Sequence, residues 1–335
     1  MTGNASHKDM PRPFDDMVAL IAAMPTKDLA ACKAVNENLA RFGPTEHPLG
    51  RFETLLPWLA GWQNRPTPVI ARPLIAVFAG THDVAKAYTD KDIIAASKRR
   101  VSEMTSGAAG VRGVSAGQNM AYKVYEMGLE YPAKDFTQEA SLSERDCAAA
   151  MAFGMEVVAE GADIIALGNA GFGSVTGAAA IALALYGGAA DYWASGDDAN
   201  AEKRINIVGE GYQKFKGDIN SPLDMLRYFG GRDIAGIVGA IVAARHQAIP
   251  VVLDGFVVTA AAAILHAIDP RATDHCIAGH LSAEPAHAAL LERMGLTPLL
   301  DLELGWGDGL GAALAVNILR MAADGYKTLT NPEAV

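Results

Sequence analysis

Two spacings of apolar residues run along the chain. Between about residues 13 and 62 they recur every three to four positions, in Met17, Val18, Leu20, Ile21 and Leu29 and again in Phe52, Leu55, Leu56 and Leu59. That period predicts helices, here separated by a Pro- and Gly-bearing loop from Phe42 to Arg51. Pro73 to Ala79 is then a continuous apolar run closed by Gly80, the mark of a strand buried on both faces. Lys123 to Leu129, Ala162 to Leu167 and Ile249 to Leu253 read as further strands. Between them lie helical stretches: Ser141 to Ala159, opened by Ser143; Ala178 to Tyr186; a basic stretch after the polar insertion Ser195 to Glu202; and Ile234 to Arg245. Tyr88 to Gln118, polar and rich in Lys, Ser, Gly and Ala, predicts helix and mobile loop. The last third adds a helix after Ser282, initiated by Ser282 with Glu284 and Pro285, and another from Ala312 to Met321 after Gly311.

Strands alternating with helices predict βαβ units and a mostly parallel sheet flanked by helices, an α/β fold. No linker composition and no fixed-period repeat divides the chain, so residues 1–335 are expected to form one unit. Within it a large lobe spans roughly 70–300. A smaller helical lobe combines roughly 13–62 with the C-terminal helices.

The most apolar window, Ala248 to Ile268, contains Pro250, Asp254, Gly255 and His266, and reads as strand, turn and Ala-rich helix rather than a membrane span. Over the whole chain, 28 Lys and Arg stand against 38 Asp and Glu, a formal charge of -10 that repels nucleic acid backbones and anionic lipid surfaces. Neither nucleic acid nor membrane is expected as a partner. Cys32, Cys147 and Cys276 are isolated and odd in number, which argues for a reducing cytoplasm over a disulfide framework, and the N-terminus lacks the apolar core of a signal peptide.

In parallel sheets ligands bind beyond the carboxyl ends of strands, so three loops attract attention: Gly80-Thr81-His82-Asp83, Gly168 to Thr176, and Asp254-Gly255. Gly168, Gly171 and Gly173 let backbone approach a ligand, Ser174 and Thr176 offer hydroxyl donors, and the following helix presents free N–H groups to an anion. The loop reads either as a phosphate cradle or as a tight strand-to-helix turn. As a dinucleotide fingerprint it matches poorly, and no acidic residue stands at the offset a nicotinamide-dependent dehydrogenase requires, so no cofactor is expected. Asp274, His275, Cys276, His280, Glu284 and His287 offer metal-ligand types but no common zinc spacing, and no metal is expected. Gly305 to Gly311 brackets Asp308 with glycines, where it either accepts a proton from a ring nitrogen or serves as an acidic residue favoured at a helix N-terminus.

Taken together, Gly279 to Pro285, Pro298 to Asp301, Gly307 to Leu314, Gly230 to Gly236 and Val251 to Phe256 resemble the nicotinate-nucleotide:dimethylbenzimidazole phosphoribosyltransferases, from about Asp15 to Ala322. The resemblance implies a cytoplasmic homodimer with an α/β fold and a small helical lobe. It implies transfer of the phosphoribosyl group of nicotinate mononucleotide to a benzimidazole-type base, giving an α-ribotide and nicotinate during assembly of the cobalamin lower ligand. Asp308 stands where the family has the Glu that takes the base proton, one methylene shorter. Asn169 replaces a Glu that stabilises the ribosyl centre. Gly171, Gly173, Ser174 and Thr176 match the phosphate loop, with Ser174-Val175 in place of Asn-Thr. Arg204 stands for a family Lys near the phosphate, and His82 and Asp254 lie in matching loops that line the substrate site. Glu46 to Glu53 shortens a family segment and loses its Lys. These substitutions admit a second reading: a weak or inactive paralogue that binds nucleotide, acts on a different acceptor base, or forms a mixed dimer with an active homologue.

Overall fold

The computed structural model describes residues 12–42, 49–107, 109–196 and 199–330. Most of the loop predicted between Phe42 and Arg51, and the middle of the polar insertion, lie outside them. Helices α1 (Asp15–Ala22), α2 (Leu29–Leu39) and α3 (Phe52–Trp62) precede β1 (Pro73–Ala79). Then come α4 (Ile93–Ser106), α5 (Gly110–Gly117), β2 (Ala121–Glu126), α6 (Glu144–Gly154) and β3 (Ile164–Asn169). Next in the chain are α7 (Ser174–Tyr186), α8 (Ala190–Ala194), α9 (Ala201–Phe215), α10 (Pro222–Phe229), α11 (Arg232–His246) and β4 (Val251–Leu253). The chain closes with α12 (Gly255–Ile268), β5 (Cys276–Ala278), β6 (His280–Ser282), α13 (His287–Arg293), β7 (Leu300–Leu304) and α14 (Leu310–Thr330).

Five strands form one sheet in the order β2-β1-β3-β4-β5, every neighbouring pair parallel. The period of two in each strand decides which helices it holds. Leu74, Ala76 and Phe78 of β1, with Ile165 and Leu167 of β3, join a core shared with α6, α7, α11 and α12. Ile75 and Val77, with Ile164 and Ala166, point the other way into a core with α3, α5 and α14. This two-sided burial is why β1 reads as an unbroken apolar run. A smaller cluster joins Ala31 and Val35 of α2, Leu56 and Ala60 of α3, and Ala322 and Tyr326 of α14, so that α2 and α3 pack against the last helix, while Met17 and Ile21 of α1 join the larger core.

The predicted strands and helices are present, with shifted ends. The helix after β3 starts at Ser174 rather than Ala178, and the last helix runs to Thr330. Ser143 caps α6 by accepting the Asp146 N–H. Ser282, in contrast, caps nothing: it lies in β6, whose partner β7 was not foreseen, and the next helix begins at His287. Its backbone N–H instead donates to the His287 ring, and its hydroxyl lies 2.9 Å from the same Nδ1. Among the described residues no helix is long and apolar enough to cross a membrane.

The order β2-β1-β3 places the topological switch between β1 and β3, because the chain leaves β1 toward one edge and returns on its other side. A crevice opens beyond the carboxyl ends of two such strands.

Candidate active site

The loops leaving β1 and β3 meet at that crevice. The Phe172 carbonyl accepts from the His82 N–H, and the Gly80 carbonyl from the Phe172 N–H. Both loops rest on one buried carboxylate, Asp233, at the start of α11. His82 Nε2 lies 2.9 Å from Asp233 Oδ1, and the Asn169 amide donates to Oδ2 at 2.8 Å. On its other side Asn169 Oδ1 accepts from the Gly171 N–H at 2.9 Å and the Ser174 hydroxyl at 2.7 Å. Burial pushes the Asp233 carboxyl upward, but His82 and the Asn169 amide outweigh it and hold the group below the ordinary range.

Two glycines of the loop are required by this packing. A Cβ on Gly171 would sit 2.0 Å from Asp233 Oδ2, and Gly173 has φ of 92°, a left-handed conformation with the Ala85 and His82 Cβ atoms already 3.1 Å from where its own would be. Gly173 opens α7, whose first turn carries Ser174 and Thr176. The hydroxyls expected to be free donors are engaged internally: Ser174 donates within the loop, and Thr176 Oγ1 lies 3.0 Å from the Tyr88 hydroxyl.

A second carboxylate organises the opposite wall. Asp254 follows β4 and is 1% exposed. Its oxygens accept from the N–H of Gly309 at 2.8 Å and of Ala312 at 2.6 Å, so it caps α14 from outside that helix. His280 Nε2 stands 3.2 Å from Asp254 Oδ1. Burial lowers the His280 pKa, but the neighbouring carboxylate prevails and leaves it above the ordinary value. The cap turns Asp308 inward. Arg100 of α4 donates to Asp308 Oδ2 at 2.8 Å, while Oδ1 is buried with no hydrogen-bond partner among the described residues. Burial first, then the Asp254 charge, raises the Asp308 pKa against the pull of Arg100. Arg100 also stacks on Trp306, its guanidinium carbon 4.4 Å from the ring centroid.

Two adjoining cavities result. The larger, about 710 Å³, is lined by Asn169, Gly171, Ser174, Asp254, Arg100 and Trp306 among others. Gly307 lines it too; Asp308 stands directly behind that wall, 4% exposed. The smaller, about 500 Å³, is lined by Gly171, Gly173, Thr176, Tyr88 and Arg204. Glu284 borders both. The structure thus brings Asn169, Gly171, Gly173, Ser174, Thr176, Arg204 and Asp254 to one composite site. His82 is buried behind the loop, 1% exposed, in contact with Asp233.

Asp233 and Arg100 were not singled out from the sequence. Asp233 lies in the quoted Gly230 to Gly236 motif, and that motif was the available signal. The six residues with metal-ligand chemistry are dispersed: His275 bonds the Ile241 carbonyl and is pushed down to about 3 by burial and by Arg245, and His287, driven down to about 3 by burial, contacts Thr259. Among the described residues no group of three or more could hold a metal ion.

A parallel α/β sheet thus carries an anion-suited helix N-terminus beside a carboxylate-backed cavity, and comparison with known proteins shows the class of enzyme to which this fold belongs, the phosphoribosyltransferases. Residues 24–334 match the model of a phosphoribosyltransferase family. Nicotinate-nucleotide–dimethylbenzimidazole phosphoribosyltransferases of Brucella canis and Sinorhizobium medicae are 44% and 43% identical to the chain over 315 residues, covering 93% of each protein. The crystal structure of the enzyme so named from Thermus thermophilus superposes with a TM-score of 0.82 at 27% identity, covering 90% of this chain and 96% of that one. The chain belongs to the nicotinate-nucleotide–dimethylbenzimidazole phosphoribosyltransferase family.

Proposed function

We propose that the protein transfers the phosphoribosyl group of nicotinate mononucleotide to a benzimidazole-type base, releasing nicotinate and forming an α-ribotide for the cobalamin lower ligand. The observation that carries this reading is the pair of adjoining cavities, one beside a helix N-terminus and Arg204, the other backed by a carboxylate with an unpartnered oxygen. In the smaller cavity the 5′-phosphate faces the Gly171 to Thr176 loop, the N–H groups of Ser174 and Val175 at the start of α7, and Arg204. Because the Ser174 hydroxyl is engaged inside the loop, backbone N–H groups and Arg204 do most of the holding. The aromatic base occupies the larger cavity.

One ring nitrogen of the base attacks C1′ of the ribose with its lone pair. The bond from C1′ to the nicotinate nitrogen breaks, and its electron pair leaves with nicotinate. The proton on the second ring nitrogen passes to Asp308 Oδ1, the atom without a partner. A carboxylate whose pKa is raised suits that transfer better than one at the ordinary value. Asn169, held by Asp233, Gly171 and Ser174, fixes the loop that faces the ribosyl centre, His82 steadies Asp233 from behind, and Asp254 sets the wall that carries Asp308.

The protein acts in the cytoplasm as a homodimer, with helices from the N-terminal segment and α14 forming a small lobe against the sheet domain. Three free cysteines and the absence among described residues of a membrane-crossing helix support that location. Nicotinate release from nicotinate mononucleotide in the presence of dimethylbenzimidazole, with product identification by mass, tests the reaction. No release with any aromatic base would overturn it.

A further inference from the structure

We infer that Arg100 is a specificity-determining residue and that it selects an acceptor base bearing a carboxylate or comparable oxygen anion, an inference that rests on the transferase reading of the same cavity. Arg100 projects from α4 onto the cavity wall, where it bonds Asp308 Oδ2 and stacks on Trp306. A guanidinium carries five donors, and Asp308 is the only hydrogen-bond partner of this one among the described residues. Its side chain is 22% exposed, so water reaches the remaining donors in the open cavity.

A flat apolar base entering between Trp306 and the glycine loop expels that water and offers nothing in return. Leaving charged donors without a partner weakens binding on the order of tenfold to a hundredfold. A base with a carboxylate on its ring replaces the lost water with a charge-assisted hydrogen bond, which is the geometry guanidinium groups favour. Arg99, adjacent on α4, and Lys91 add further cations to the lining, against which stand Asp92, Glu103, Asp254 and Glu284, so selection for an anion rests on the local geometry of Arg100 and not on the summed charge of the cavity. A site built around a hydrogen bond to its substrate rejects analogues that lack the group more strongly than an apolar pocket rejects an extra one.

The test uses the full-length protein with nicotinate mononucleotide and three bases, dimethylbenzimidazole, benzimidazole-4-carboxylate and benzimidazole-5-carboxylate, in native, Arg100→Met and Arg100→Lys forms. Nicotinate release gives kcat/KM, and calorimetric titration gives base affinity independently of turnover. The native protein is expected to favour at least one carboxylate over dimethylbenzimidazole by about tenfold or more. Arg100→Met should reverse the preference, and Arg100→Lys should keep part of it. If no base supports nicotinate release but the binding preference is present and lost in Arg100→Met, the transferase reading fails, and with it the acceptor role, while Arg100 stands as the residue that binds the ring carboxylate. Equal preference in native and Arg100→Met proteins, or no measurable carboxylate binding, would overturn the assignment.

Discussion

His82 and Asp233 lie 151 positions apart in sequence and 2.9 Å apart in the fold, and the glycine loop hangs from the same carboxylate through Asn169. Replacing Asp233 with Ala leaves the His82 ring nitrogen and the Asn169 amide buried without partners. A loss of about 2–5 kcal/mol in unfolding free energy is expected, measured by urea titration. Unchanged stability would mean that the two loops are held by something other than this contact.

Introducing a glutamate at position 169 is not a simple replacement. The Asn169 amide donates to Asp233 at 2.8 Å, so a carboxylate in its place faces another carboxylate in a buried setting. Asn169→Glu is expected to cost about 1–3 kcal/mol of stability. Pairing it with Asp233→Asn should recover most of that loss, and a double-mutant cycle reads the coupling.

Asp254→Ala removes the acceptor for two N–H groups at the start of α14. A loss of about 2–3 kcal/mol is expected, visible as a lower urea midpoint. An Asp254→Ala protein of native stability that no longer bound nicotinate mononucleotide would assign this carboxylate to the ligand rather than to the helix.

The raised pKa of Asp308 sets the direction of two pH effects. In the folded protein the carboxyl holds its proton more tightly than in the unfolded chain, so it contributes stability below its unfolded pKa, and that contribution is lost as pH rises through the folded value. Asp308→Asn is therefore expected to unfold at higher urea than the native protein at pH 7, with the advantage fading toward about pH 4. Activity runs the other way. The base must be ionised, so kcat/KM falls as pH drops through the folded pKa, and the acid limb should lie above the ordinary aspartate range.

Much of the architecture was legible because local pattern and global position agree. β1 is apolar at every position, and β3 from Ile164 to Leu167, since helices cover both sheet faces, and Ser143 caps α6 as its sequence context suggests. β6 escaped notice because a three-residue strand carries no period, and Ser282 looked like a helix cap when it is tied to His287. The loop glycines were noticed as room for a ligand, whereas at Gly171 it is the Asp233 carboxylate that occupies the space a side chain would need. The partners that organise the site were not. Arg100 meets Asp308 across 208 positions, and no spacing rule connects residues so distant in sequence. Asp233 stood inside a quoted motif, yet its role depends on α11 starting beneath the loops after β1 and β3, which only the packed sheet places there.

Following nicotinate release from nicotinate mononucleotide and dimethylbenzimidazole, with native protein beside Asp308→Ala, tests most directly whether Asp308 is the base of a phosphoribosyl transfer. Release by the native protein, falling by a factor of about 10²–10⁴ in the variant while nicotinate mononucleotide still binds, is the expected result. Release at an equal rate by both proteins would contradict it.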